Sequence, residues 1–197
     1  MNEKDLKNIV YAFYPKNISY NAENDRYIVT EEFQRLNQVI NDFDCKYKKS
    51  ISEKILKEFE NDYTLKNFQD FTLFHWGDRC MTFNLSIIEN RELYTVSLLI
   101  SVLAPYYTIK CQKNMIELLF SESRIAELEE KNLEKRNLKD IILKIESIVE
   151  EKLLYNKFPN EILNLIVEDI SFQEAEIGYF KMFNAFFNNL MMTENEE

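Results

Sequence analysis

Glycine is nearly missing from this chain: 197 residues contain two, Gly77 and Gly178. Loops that cradle phosphate need several glycines, so that backbone N–H groups can come close to the ligand. Two cannot supply a GxGxxG turn, a P-loop or a nucleophile elbow. Nucleotide-dependent catalysis on a standard scaffold is therefore not expected, and no cofactor is expected. Histidine occurs once, as His75, and the three cysteines Cys45, Cys80 and Cys111 lie far apart with no CxxC pair. A zinc site would lack ligands, and an odd, scattered set of thiols is no disulfide framework. A reduced cytoplasm is the expected compartment.

Long apolar runs are also absent. None approaches the about 20 residues that a membrane helix needs, so no membrane association is expected. The opening MNEKDLKNIVYAFYPKN mixes acids with bases and has no apolar stretch of the secretory kind. Positive charge is the minority, 24 Lys and Arg against 34 Asp and Glu, for a net charge of −10. Nucleic-acid binding needs a basic surface that displaces counterions, so nucleic acid is not an expected partner. An acidic surface can instead hold a basic protein, since opposite fields steer association.

What the chain does have is apolar and aromatic mass. Hydrophobic residues make up 46%, with 15 Phe and 11 Tyr, enough for the core of a single domain spanning 1–197. Three regions follow from periodicity. Region 2–70 reads as helical. Asn2 opens a capping segment before Leu6, Ile9, Val10 and Phe13, and Pro15 ends that helix. Thr30 caps a second, with Phe33, Leu36, Val39 or Ile40, and Phe43 as its buried stripe. Ser50 or Ser52 is expected to cap a third.

Region 71–120 changes period. In CMTFNLSII, Met81, Phe83, Leu85 and Ile87 point one way and Thr82, Asn84 and Ser86 the other, the pattern of a half-buried strand. Glu89 to Glu92 form a polar turn, and LYTVSLLISVLA reads as a more central strand. Pro105 marks a break. Strands are expected over 106–110 and 115–120. Region 121–190 returns to helical spacing over 123–154, with a short helix over 161–167. IGYFKMFNAFF fits a helix or a broken strand equally, and the closing acidic residues read as a frayed tail. The fold class expected is α+β: an antiparallel β-meander of three to five strands packed against helices, with helical N-terminal and C-terminal regions.

FHWGDRC, residues 74–80, gathers the rarest residues. In a catalytic reading His75 is a base oriented by Asp78, with Cys80 as nucleophile. In a structural reading Trp76 anchors the loop in the core, Gly77 takes a positive φ, and Cys80 starts a strand as a small hydrophobe. The structural reading needs fewer coincidences, and no catalytic residue is assigned. Glu168, Asp169, Glu174 and Glu176 form the densest acidic group flanked by apolar residues. They lack the spacing and turn glycine of a calcium loop, so no metal is expected. Tyr20 and Tyr27 in a polar loop, and Tyr106 and Tyr107 after Pro105, are candidate contacts for a partner, because tyrosine gives interface area at low entropic cost. The candidate partner-binding residues are these four tyrosines and these four acids.

Four stretches carry a resemblance: YAFYPKNISY, WGDRCMTFNLSII, LLISVLAPYYTIK, and PNEILNLIVEDI with IGYFKMFNAFF. They resemble a group of small cytosolic bacterial proteins, some of them set beside polymorphic or type VI secretion toxins and taken to be their immunity proteins. The resemblance touches all three regions but includes no catalytic signature, so it transfers no catalytic residues. It implies a protein that binds and neutralises a cognate toxin; with the net charge of −10 and no catalytic motif, the expectation is a non-enzymatic protein with a basic toxin domain as partner and occlusion of the toxin's cleft as mechanism. Two other readings stay open: an enzyme on an unfamiliar scaffold using His75, Asp78 and Cys80, and a homodimeric structural or regulatory scaffold.

Overall fold

The computed structural model describes residues 2–90, 92–114, 123 and 137–188. The expected strand over 115–120, most of the first half of the helix expected over 123–154, and the acidic tail lie outside them. The fold is α+β, as the sequence predicts.

Helix α1 (Glu3–Phe13) starts at a capping box. Asn2 Oδ1 accepts from the Asp5 N–H at 3.0 Å, and the Asp5 carboxylate accepts from the Asn2 N–H at 3.1 Å. A single turn, α2 (Asn24–Tyr27), precedes α3 (Glu31–Lys46), whose cap is Thr30. Leu36 and Ile40 are buried on α3, with Phe33 and Phe43 packed beside them. Helix α4 (Lys48–Glu60) follows after one residue, Tyr47. Neither Ser50 nor Ser52 caps it, because the chain never leaves helical space long enough to need a side-chain acceptor. Ser52 lies within the helix and donates to Asp70 at 2.6 Å.

The sheet has five strands in the order β1 (Gln69–Asp70), β2 (Cys80–Glu89), β3 (Glu92–Ser101), β4 (Tyr106–Asn114) and β5 (Asn156–Lys157). The first four run antiparallel, and β5 adds parallel to β4. The meander therefore ends at β4, and β5 arrives after helix α5 (Leu138–Glu151). The predicted alternation sets the register. Phe83 faces Leu98 and Leu85 faces Val96 on one side, while Asn84 faces Ser97 and Ser86 faces Thr95 on the other. The first side is the core face. Helices close on it: Tyr107 on β4 donates to Glu150 of α5 at 2.7 Å, and Ser52 of α4 reaches Asp70 of β1.

Among the described residues, the second face is covered at one end. Cys80, Thr82, Leu99, Ser101, Tyr106 and Thr108 are buried there. Their cover is aromatic and comes from the end of the described chain. Phe158 packs on Tyr106 at 5.3 Å and on Phe186 at 5.1 Å, and the Lys110 ammonium lies 4.6 Å from the Phe183 ring centre. Phe183 and Phe186 sit on α7 (Met182–Phe186), so the ambiguous 177–187 segment is helical only in its second part. The helix expected over 161–167 shrinks to α6 (Asn160–Leu163). Beyond it the chain forms an irregular hairpin, closed by the Ile166–Lys181 pairing and by a tight turn from Phe172 to Ala175.

Candidate functional site

The 74–80 stretch builds a junction. Phe74–Trp76 is one 3-10 turn, and Gly77 follows in the left-handed region at φ 81°. Only glycine adopts that conformation readily. A Cβ there would also run into the side-chain amide of Gln173. Phe74, not Trp76, is the anchor: Phe74 is buried against Phe43, whereas Trp76 is 71% exposed. The expected core role of Trp76 is therefore reversed. Within a 3-10 turn, neighbouring side chains diverge by about a third of a revolution, so only one of the two can face the core.

Arg79 is the residue whose importance the sequence hides. It is fully buried. Its Nε donates to the Asn184 carbonyl at 3.0 Å and its Nη1 to the Gly77 carbonyl at 2.7 Å and to Gln173 Oε1 at 3.0 Å; its Nη2 also reaches the Asn184 carbonyl. The guanidinium lies 5.1 Å from the Phe172 ring centre. The Arg79 N–H itself donates to the Phe187 carbonyl. One side chain thus joins the turn, the 165–181 hairpin and α7.

The three residues of the catalytic reading are separated by environment. His75 is exposed, its ring edge-on to Trp76. Cys80 is fully buried, with Sγ 3.7 Å from Thr82 Oγ1. Burial pushes its thiol up to about 12. A nucleophilic cysteine needs the opposite shift, toward thiolate at neutral pH. Burial also raises the Asp78 carboxyl, against the pull of Arg79 and His75. Among the described residues no group of three His, Cys, Asp or Glu could hold a metal ion. Among them, too, no helix is long and apolar enough to cross a membrane.

The candidate partner-binding residues divide. Tyr27, Tyr106 and Tyr107 are buried and belong to the core. Tyr27 and the half-buried Tyr20 pack edge to face at 5.1 Å, and Tyr20 meets Phe172 at 5.0 Å. These rings fill the joint between the N-terminal region and the 165–181 hairpin, which lies far away in sequence. The Tyr27 hydroxyl is buried with no hydrogen-bond partner, a cost of about 1–3 kcal/mol. Tyr107 is held by Glu150. These rings stack inward, so none of the three is offered to a partner.

The acids fare otherwise. Glu168, Glu174 and Glu176 are exposed. Asp169 is half-buried and tied to the N-terminal region: its carbonyl accepts from the Asn17 N–H at 2.7 Å, and its carboxylate lies 3.6 Å from the Lys16 ammonium. The exposed acids share the hairpin with exposed apolar side chains, Ile166, Ile177 and Tyr179, the last 73% exposed. Trp76 adjoins them, because Gln173 donates from its side chain to the Trp76 carbonyl at 3.0 Å. Sequence reasoning named the acids but missed Trp76, Ile177 and Tyr179. The hairpin's apolar residues Val167, Ile170, Phe172 and Phe180 are buried, and the polar and apolar residues set between them, among them Glu168, Ile177 and Tyr179, face out.

Comparison with protein-family models, with curated proteins and with solved structures returns no match.

Proposed function

We propose that this chain is a non-enzymatic binding protein that holds a basic protein partner through the outward side of the 165–181 hairpin and the adjoining Trp76. The observation that carries this reading is the mixture on that surface. Glu168, Glu174 and Glu176 lie among Ile166, Ile177 and Tyr179, beside a tryptophan that the core does not use. Large exposed apolar side chains set among charges are the makings of an interface: aromatic anchors supply affinity, and surrounding charges supply orientation and encounter rate. The net charge of −10 selects a basic partner.

The most concrete form of the proposal is an immunity protein, acting in the cytoplasm, that occludes the cleft of a cognate bacterial toxin. Its toxin part is supported by the family resemblance of the four quoted stretches, not by the surface geometry. The test is co-expression with the product of the neighbouring gene, followed by affinity purification. A stoichiometric complex, with relief of any growth arrest that product causes, is the expected result. A complex that persists unchanged after Trp76→Ala and Tyr179→Ala would move the interface elsewhere. No complex and no relief would overturn the immunity reading.

A further inference from the structure

Among the described residues, the aromatic cover of the sheet's second face ends part-way along β2. Past Thr82 the face turns polar, with Asn84 and Ser86 on β2, Gln69 beside them on β1 and Thr95 on β3. Together with Asn67 and Phe71 these side chains line a groove of about 350 Å³. That lies within the size range of small-ligand sites. The groove shares no residue with the proposed protein-binding surface.

We propose that this groove binds a neutral, hydroxyl-rich ligand of the saccharide class. The composition of the wall carries the assignment. Among the described residues no lining side chain is ionisable, so among them neither an anion nor a cation finds a counter-charge, and the chain's net charge of −10 repels anions further. Five of the six described lining residues are amides or hydroxyls, so a purely apolar ligand would strand their hydrogen-bonding groups. Asn67 and Gln69 each present a donor and an acceptor side by side, Ser86 presents a hydroxyl that does both, and the Thr95 hydroxyl, which accepts from the Asn114 side-chain amide at 2.9 Å, can still donate. A sugar's adjacent hydroxyls likewise donate and accept at once. Phe71, half exposed at the groove, supplies the flat apolar wall on which the C–H side of a pyranose rests. The Asn84 Oδ1 atom is buried with no hydrogen-bond partner. A turn of the Asn84 amide brings this oxygen to the groove, where a ligand hydroxyl supplies the donor that the protein leaves out. An extended peptide is the poorer fit. Peptides add to sheets through main-chain groups at an edge, whereas this groove lies on a face and offers side chains.

Saturation-transfer NMR on the full chain, with maltose and with N-acetylglucosamine as probes, tests the proposal. Transfer to ring protons of at least one sugar is expected, together with a shift of the Asn84 side-chain amide resonance and a dissociation constant of about 1 mM. Phe71→Ala removes the stacking wall and Ser86→Glu puts a charge into the groove. Both side chains are exposed, so both variants should fold, and each should weaken binding about tenfold or more. Absence of transfer from both sugars, or binding that neither variant weakens, would overturn the site. Failure to bind a protein partner would leave this result untouched, because the two surfaces are separate.

Discussion

Arg79 is the clearest case of a residue whose role is set by its surroundings. Its side chain satisfies the carbonyls of Gly77 and Asn184 and the Gln173 amide oxygen, all while fully buried. Replacing it by methionine keeps much of the volume but leaves those acceptors without their donor. Arg79→Met should destabilise the fold by about 3–5 kcal/mol, read as a lower urea midpoint. Arg79→Lys should fall between the two, because an ammonium cannot reach two elements with a planar fork. Cys80 gives a second test at the same scale, through pH. Its native thiol titrates at about 12, against about 8.5 in an unfolded chain. Between those values the unfolded chain gives up this proton while the folded chain keeps it. The stability contributed is therefore complete below about pH 8.5 and is lost progressively as pH rises toward 12. Tyr14, whose hydroxyl burial also raises to about 12, acts in the same direction from about pH 10. Unfolding midpoints should thus fall above pH 9, and Cys80→Ala should flatten the first part of that fall. An identical pH slope in the variant would show that the thiol does not titrate as its burial dictates.

At the scale of elements, the two glycines separate backbone demand from packing demand. Both lie in the left-handed region, Gly77 at φ 81° and Gly178 at φ 86°. An alanine at Gly178 would meet nothing within 4 Å, so its cost is the backbone strain alone, about 1–2 kcal/mol. An alanine at Gly77 bears the same strain and also collides with the Gln173 amide that bonds to both Trp76 and Arg79. Gly77→Ala should therefore lower the melting temperature well beyond Gly178→Ala, and Gln173→Ala in the same chain should recover only part of the difference. Equal losses for the two would mean that the turn moves aside freely. The regular elements were legible because their signals are short-range. The caps at Asn2 and Thr30 and the β2 alternation all lie within a few residues. Strand β5 and the hairpin over 165–181 were not legible. A two-residue strand has no period to detect, and the hairpin owes its shape to Arg79 and the N-terminal tyrosines.

For the whole molecule the charge of −10 makes a kinetic prediction about any basic partner. Screening shortens the reach of surface charge to about 10 Å at 0.1 M salt. The association rate measured by surface plasmon resonance should fall as salt rises, while the dissociation rate changes much less, because anchors such as Trp76 and Tyr179 are insensitive to ions. Reversing Glu168, Glu174 and Glu176 to lysine should slow association without lowering the melting temperature, since all three are exposed. A rate that is flat with salt would leave the acidity as a solubility trait.

The sequence by itself determined the α+β class, the inward set Met81, Phe83, Leu85 and Ile87, the start of the first helices, and a glycine count too low for a GxGxxG or P-loop motif. Each of these is written in local spacing or in bare counts. Only the tertiary structure decided that Tyr27, Tyr106 and Tyr107 are core, that Trp76 is surface, and that Arg79 is a buried joint. Burial depends on which faces meet. Those meetings join residues as distant as Tyr20 and Phe172, or Arg79 and Asn184, for which periodicity along the chain carries no signal.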